Sequence, residues 1–300
     1  MPLKKMRSGD IAFHTVNYVV FALFTLICLF PFYYLLINTI SNNDLSSRGM
    51  ITFLPRGIHF DNYVKVLTLP GLAQAALISV LRTVLGTALT VAGSALLGFL
   101  FTKQEMWGRR FWYRFVVITM YFNAGIIPWY ITMMNLHLTN NFAAYVLPAI
   151  VSPFFVILVK TFVESLPGVL QESAQIDGAG YWIIFTRIVL PLITPILATI
   201  AIFSAVGQWN TFTDTLFLMS NPNLYTLQFV LWKYMNEANS LAAIIRNSQG
   251  GTQAIDLSKV QTPTSIRTTV TMIVVFPILL VYPYFQRFFV KGIMIGAVKG

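Results

Sequence analysis

The stretch 171–191 reads QESAQIDGAGYWIIFTRIVLP and places Glu172, Asp177 and Arg187 within sixteen residues, with Gly178 and Gly180 between them. Its surroundings differ sharply. Of the 300 residues, 56% are hydrophobic and 10% charged, against about 25% charged in soluble domains. The stretch is too polar to cross a bilayer and too apolar to be a disordered linker. What it connects therefore decides the fold.

On either side lie long apolar blocks. Six can be drawn, at about 15–40, 77–101, 113–135, 143–164, 189–218 and 267–290, each near or above the roughly 20 residues that a helix needs to cross hydrocarbon. At that depth backbone polar groups must be satisfied within the segment, which selects helices, and the short alternating strands of a membrane barrel are missing from the sequence. The expectation is an all-α polytopic membrane protein, one transmembrane domain over 1–300 with six transmembrane helices. The first block follows MPLKKMRSGD. It is longer than a signal-peptide core and no small-residue cleavage site follows it, so it reads as an uncleaved helix.

The balance of 20 Lys and Arg against 10 Asp and Glu does not read as a nucleic-acid footprint, because the basic residues sit mainly at the ends of apolar blocks, where they set topology. With the N-terminus inside, twelve of them face the cytoplasm, including Lys4, Lys5, Arg7, Lys103, Arg109, Arg110, Arg114, Lys160, Arg187 and Lys291. The other eight are spread over two long outer loops, about 41–76 and 219–266, and their edges. Both termini are therefore expected in the cytoplasm, together with the loop 165–190. The outer loop 219–266 carries RNSQGGTQA, a turn-rich tip. The lone Cys28 cannot form an internal disulfide, and His14, His59 and His137 lack metal-site spacing. No acid pair, no nucleophile with its base and no phosphate-cradling GxxxxGK[ST] loop is present, so neither a catalytic site nor an ATP site is expected.

Locally, LPGVLQESAQIDGAG reads as a short helix. Pro167 suits a first turn, Gly178 suits the left-handed position that closes a helix, and Asp177 is placed to cap a second short helix starting near Gly180. Leu190-Pro191 marks entry to the fifth span. Interfacial helices usually carry Lys and Arg on their polar face; here the polar residues include Glu172 and Asp177, which favours a protein partner over lipid. In the second span, Gly86, Thr90 and Gly93 share a face that lets helices approach closely.

Glu172-Ser173-Ala174, three residues, Gly178, nine residues, then Ile188-Val189-Leu190-Pro191 resembles the EAA loop of ABC-importer permeases, E-A-A-x3-G-x9-I-x-L-P, with Ser173 the single departure. YFNAGIIPWYITMMNLHLTNNFAAYVLP (121–148) and YPYFQRFFVKGIMIGAVKG (282–300) are similar to the carbohydrate-uptake branch, and within it to oligosaccharide permeases of alginate and rhamnogalacturonan-type importers. The resemblance covers nearly the full length. It implies a type I importer permease fold in the bacterial plasma membrane, and a permease subunit with no ATPase site of its own. It further implies a second homologous permease, a partner ATPase dimer that binds ATP and Mg, an extracytoplasmic solute-binding protein and an oligosaccharide cargo, in surrounding membrane lipid. Carried over by position, Glu172 would accept a salt bridge from the ATPase, Ser173 and Ala174 would allow close packing, Asp177 and Gly178 would shape the turn, and Pro191 would start the driven helix. A secondary transporter, or an importer of peptides, phosphate or metals, is the competing reading.

For the cargo path the candidates are Tyr121 and Asn123 in the third span and Gln208, Trp209, Asn210 and Asp214 in the fifth. Intramembrane polar residues default to function; amides hydrogen-bond hydroxyls and rings stack on sugar faces. The same residues could equally join helices, with Asp214 at the outer interface. Arg82 and Arg267 could draw an anionic cargo to the outer mouth or simply anchor helix ends. The tail KGIMIGAVKG could touch the ATPase or rest at the headgroups.

Overall fold

The computed structural model describes residues 8–236 and 264–280. The RNSQGGTQA tip, the end of the sixth block beyond residue 280 and the KGIMIGAVKG tail lie outside the described residues. In chain order the α-helices are α1 Ser8–Thr39, α2 Asn43–Ser47, α3 Asp61–Leu67, α4 Leu72–Leu100, α5 Arg109–Thr119, α6 Ile126–Asn135, α7 Ala143–Val146, α8 Pro153–Glu164, α9 Val169–Ile176, α10 Tyr181–Ile183, α11 Leu190–Leu192, α12 Thr194–Asn210 and α13 Thr213–Leu218. A further helix α14 covers 227–236, and α15 is Thr264–Leu280. Among the described residues there is no strand.

Two helices are long and apolar enough to cross a membrane unbroken, Ile11–Thr39 within α1 and Leu72–Leu100. The third, fourth and fifth blocks are interrupted, and the sequence says why. Residues 120–125 separate α5 from α6, where Gly125 takes φ +83° and its N–H donates to the Asn123 Oδ1 at 2.9 Å. Between α7 and α8, Pro148 and Pro153 interrupt the ladder; Ser152, ahead of Pro153, is forced to an extended backbone, and the two pieces meet at 43°. The fifth block bends by 77° between Tyr181–Leu192 and Thr194–Asn210. Pro191 follows a π-helical stretch, Ile184–Val189, and Pro195 cannot donate to the Pro191 carbonyl, which takes the Thr194 hydroxyl instead at 2.8 Å. The regular helix of the fifth block thus begins at Thr194, several residues after the entry expected near 189.

The chain divides into two compact units, one formed by residues 1–69 with 234–275 and the other by 70–233 with 276–300. In the first, α1 runs about 48 Å at 1.5 Å per residue, and most of its apolar side chains are exposed. Its end is tied to the folded segment 41–67 by buried amides and hydroxyls: Asn62 Nδ2 donates to the Thr39 carbonyl (2.9 Å) and to Asn43 Oδ1 (2.8 Å), and Ser46 Oγ donates to Asn38 Oδ1 (2.7 Å).

In the second unit α4 is the mast against which α8 and α12 pack. Small residues bring the axes close. A Cβ on Gly98 would lie 2.6 Å from Val159 Cβ and 3.1 Å from the Lys160 backbone nitrogen. Thr90 Oγ1 donates across the contact to the Ala149 carbonyl at 2.7 Å. One buried cluster joins Ala95 and Phe99 of α4 with Val159 and Val163 of α8 and with Ile184, Phe185, Val189, Ile193 and Ile200. A second surrounds Ile78, Met133, Tyr145 and Leu218.

Gly98→Ala should overpack the α4–α8 contact and cost about 1–3 kcal/mol. Thermal unfolding in detergent should show a lower midpoint for this variant, while Gly207→Ala, whose new methyl meets nothing within 4 Å, should leave it unchanged or slightly raised.

Candidate coupling loop and intramembrane polar cluster

The loop after α8 is built around one turn. Gly178 takes φ +82°, its N–H donates to the Gln175 carbonyl at 3.0 Å, and the Ala179 N–H reaches back to the Ala174 carbonyl at 2.9 Å. These two bonds close α9 as a Schellman motif, which needs a left-handed residue that glycine adopts without a Cβ penalty. Asp177 falls at the C-cap of α9. The expected capping of the next helix by Asp177 is overturned: Gly180 is the N-cap residue of α10, and no side chain bonds there. The closure uses up residues 177–179, which leaves Asp177 three positions too early to cap.

Glu172 and Ser173 are exposed, and Glu172 has no ion-pair partner among the described residues. Ala174 turns the other way. With Ala179 and Leu190 it packs against the α4–α8 cluster. The E-S-A triplet thus has an anchoring residue and two outward ones. Apolar groups flank them in the open: Ile176 is 87% exposed and Trp182 68%. Lys103, which in the sequence stands only as a charge at a span end, donates to Gln171 Oε1 at 2.5 Å. Partial burial pulls its ammonium below the ordinary lysine range, opposed by the Glu105 carboxylate.

The second site lies within the bundle. Arg82 on α4 is 3% exposed and reaches across to α12 and α13. Its Nη1 and Nη2 bond Asp214 Oδ1 and Oδ2 at 3.0 and 2.5 Å, its Nε donates to Gln208 Oε1 at 2.8 Å, and Nη1 also donates to the Thr211 carbonyl at 3.0 Å. The guanidinium lies 4.7 Å from the Tyr145 ring centroid. Tyr145 OH in turn meets Thr215 Oγ1 at 2.9 Å and donates to the Leu224 carbonyl at 2.7 Å. This arrangement explains the break at 211–212. A cation sits at the C-terminal end of α12, where the helix dipole favours it, and its carboxylate partner occupies the first turn of α13.

The reading of Arg82 as a basic group drawing cargo to the outer mouth is overturned. Its planar fork is buried and engaged, so it presents no free charge. Of the expected cargo-path residues, Gln208 and Asp214 are brought together on Arg82, and Gly86 leaves room for the Gln208 amide, which a Cβ there would meet at 2.6 Å. Trp209 is half-buried and Asn210 exposed. Tyr121 is exposed, and Asn123 bonds the Gly125 N–H. Among the described residues neither hydrogen-bonds to the Arg82 cluster. Arg267 is exposed on α15.

A family model described as "Binding-protein-dependent transport system inner membrane component" matches residues 94–295, which include the whole of the loop 165–190. The chain belongs to this family. It is 30% identical over 288 residues to the "Polygalacturonan/rhamnogalacturonan transport system permease protein YtcP" of Bacillus subtilis (strain 168), covering 96% of this chain and 98% of that protein. It is 34% identical over 275 residues to "Protein LplC" of the same organism, covering 91% and 90%. A crystal structure of a bacterial ABC transporter involved in the import of the acidic polysaccharide alginate matches with a TM-score of 0.81 and 25% identity, over 96% of this chain and all of that one. This family member is accordingly an all-helical transport component of the inner membrane, with the type I permease fold.

Arg82→Met would strand the Asp214 carboxylate and should lower stability by about 3 kcal/mol. Adding Asp214→Asn should recover part of the loss in thermal unfolding. A role in cargo attraction would instead leave the unfolding midpoint untouched and change only salt-sensitive uptake.

Proposed function

We propose that this chain is one of two permease subunits in an ATP-driven importer of oligosaccharides rich in uronate, such as pectin or alginate fragments. The observation that carries the proposal is the geometry of 167–191: a short helix anchored through Ala174, closed at Gly178, and presenting Glu172, which has no ion-pair partner among the described residues, beside exposed Ile176 and Trp182. A partner's arginine can take a charge-assisted bond to Glu172, and the exposed apolar side chains fit a protein groove. The distribution of Lys and Arg supports a cytoplasmic position for this loop and for both termini. In this reading residues 1–300 make one permease domain, its spans at about 15–40, 77–101, 113–135, 143–164, 189–218 and 267–290.

In this reading the partners are a homologous second permease, an ATPase dimer that holds ATP and Mg, and an extracytoplasmic solute-binding protein. The permease itself has no hydrolytic activity. ATP binding and hydrolysis favour different arrangements of the spans, and α9 carries the bias from one protein to the other. Glu172 accepts the docking contact, Ser173 keeps the surface shallow, Ala174 fixes the helix to its own chain, and Asp177 and Gly178 form the elbow. Pro191 and Pro195 set the 77° bend through which the motion reaches α12. The cargo names of YtcP and of the alginate transporter support an acidic sugar as substrate. Trp209 and Asn210 offer a ring and an amide to it, Tyr121 and Asn123 offer the same chemistry from the third block, and Gln208 and Asp214 hold the wall in place through Arg82.

Glu172→Lys should reduce ATP-driven uptake of an oligogalacturonate digest about tenfold or more, the scale of a lost charge-assisted bond, while membrane insertion stays normal. The assay is uptake into proteoliposomes carrying both permeases and the ATPase, supplied with the binding protein. Full activity in this variant would contradict the docking role.

A further inference from the structure

Lys103 lies just beyond the end of α4, and its contacts are not those of a headgroup anchor. Its ammonium donates to Gln171 Oε1 on α9 at 2.5 Å. It also lies 4.6 Å from the Phe99 ring centroid on α4 and 5.7 Å from the Tyr181 ring centroid on α10. One side chain therefore touches the mast and both arms of the loop, on either side of the Gly178 elbow. Beneath it Phe99 packs against Phe185 with centroids 5.1 Å apart.

The elbow itself needs such a brace. A Schellman turn fixes how a helix ends but not the angle at which the next one leaves, because glycine has a wide range of backbone conformations. α9 has only eight residues, too few to be stable alone in water. Ala174 and Ala179 anchor it through small contacts, and Leu166, just before it, packs on the same cluster; fixing the tilt of the turn that carries Glu172 takes a further hold. The Lys103–Gln171 bond is one residue from Glu172 and supplies that hold. A lysine suits the place: its long stem crosses apolar surface while the charged end reaches a polar partner and two ring faces.

We propose that Lys103 is a positioning residue for coupling, a strut that locks the angle at Gly178 so that α9, α10 and the end of α4 move as one body. This rests on the reading of α9 as the coupling helix. With the strut in place, a displacement of Glu172 is transmitted to α4 and to the bend before α12. Without it α9 tilts about Gly178, and hydrolysis in the partner proceeds with less cargo moved per ATP.

The test uses the assembled importer with Cys28→Ser as background and a nitroxide on Gln175→Cys. Lys103→Met should keep the ATPase co-purifying, sharpen the nitroxide spectrum towards higher mobility and lower oligogalacturonate uptake per ATP about fivefold, the scale of one lost ring-and-amide contact set. Lys103→Arg should restore both readouts. Gln171→Leu should reproduce the Met variant in part, and the double variant should be no worse than Lys103→Met alone. An unchanged spectrum with unchanged uptake per ATP in Lys103→Met would overturn the inference. So would loss of ATPase co-purification, which would make Lys103 a docking contact. Glu172→Lys separates the two ideas: if it leaves uptake intact the coupling reading fails, whereas uncoupling by Glu172→Lys but not by Lys103→Met sinks the strut alone.

Discussion

Hydrocarbon offers no water, so a charge buried in a membrane bundle has to find its counter-charge and hydrogen-bond partners inside the protein. Arg82 obeys that constraint with two bonds to Asp214, one to Gln208 and one to the Thr211 carbonyl. The consequence is architectural. The end of α12 and the start of α13 are fastened to α4 at a chosen height, and the Tyr145 ring and hydroxyl extend the fastening to α7 and the segment near Leu224. Replacing any one member leaves another stranded, which makes the cluster a determinant of how these helices are arranged more than a source of net stability.

With that end of α12 fixed, freedom is concentrated at its other end. Two prolines four residues apart, a π-helical turn and a threonine hydroxyl standing in for a missing amide produce the sharp bend before Thr194. On the far side of the bend lies the loop whose Ala174 and Ala179 are set into the α4–α8 cluster. A lever needs a fulcrum and a rigid arm. In the proposed coupling, the bend and the tightly packed α4–α8 seam would provide the first, and the Schellman closure with Lys103 the second. The exposed Glu172, Ile176 and Trp182 are then the face on which another protein can act.

Much of this was legible in the sequence because it is local. Gly178 had to close a helix, and the small residues at 86, 90 and 93 had to let helices approach; each follows from the chemistry of a few neighbouring residues. The helix breaks were also written there, in Gly125, Pro148, Pro153, Pro191 and Pro195, but a hydropathy window averages over them and returns unbroken blocks. Asp177 departs from its expected capping role because a capping side chain and a C-terminal closure compete for the same three residues, and the closure wins. The role of Arg82, left open between cargo attraction and helix-end anchoring, was illegible for a different reason. Its partner lies 132 residues away, and no local pattern distinguishes an arginine facing a mouth from one folded into a carboxylate. Lys103 escaped notice likewise, since its contacts with Gln171 and Tyr181 arise only when the loop folds back beneath α4.

The 171–191 loop is proposed to meet a nucleotide hydrolase in the cytoplasm. Crosslinking tests it most directly, with Ser173→Cys as the sole reactive thiol in a Cys28→Ser background and single cysteines on the ATPase surface. A crosslinked permease–ATPase species that changes in yield between nucleotide-free and ATP-bound states, together with protection of the thiol from impermeant reagents added outside, is the expected result. Labelling of Ser173→Cys from the outer face, with no crosslink to the ATPase in any nucleotide state, would contradict it.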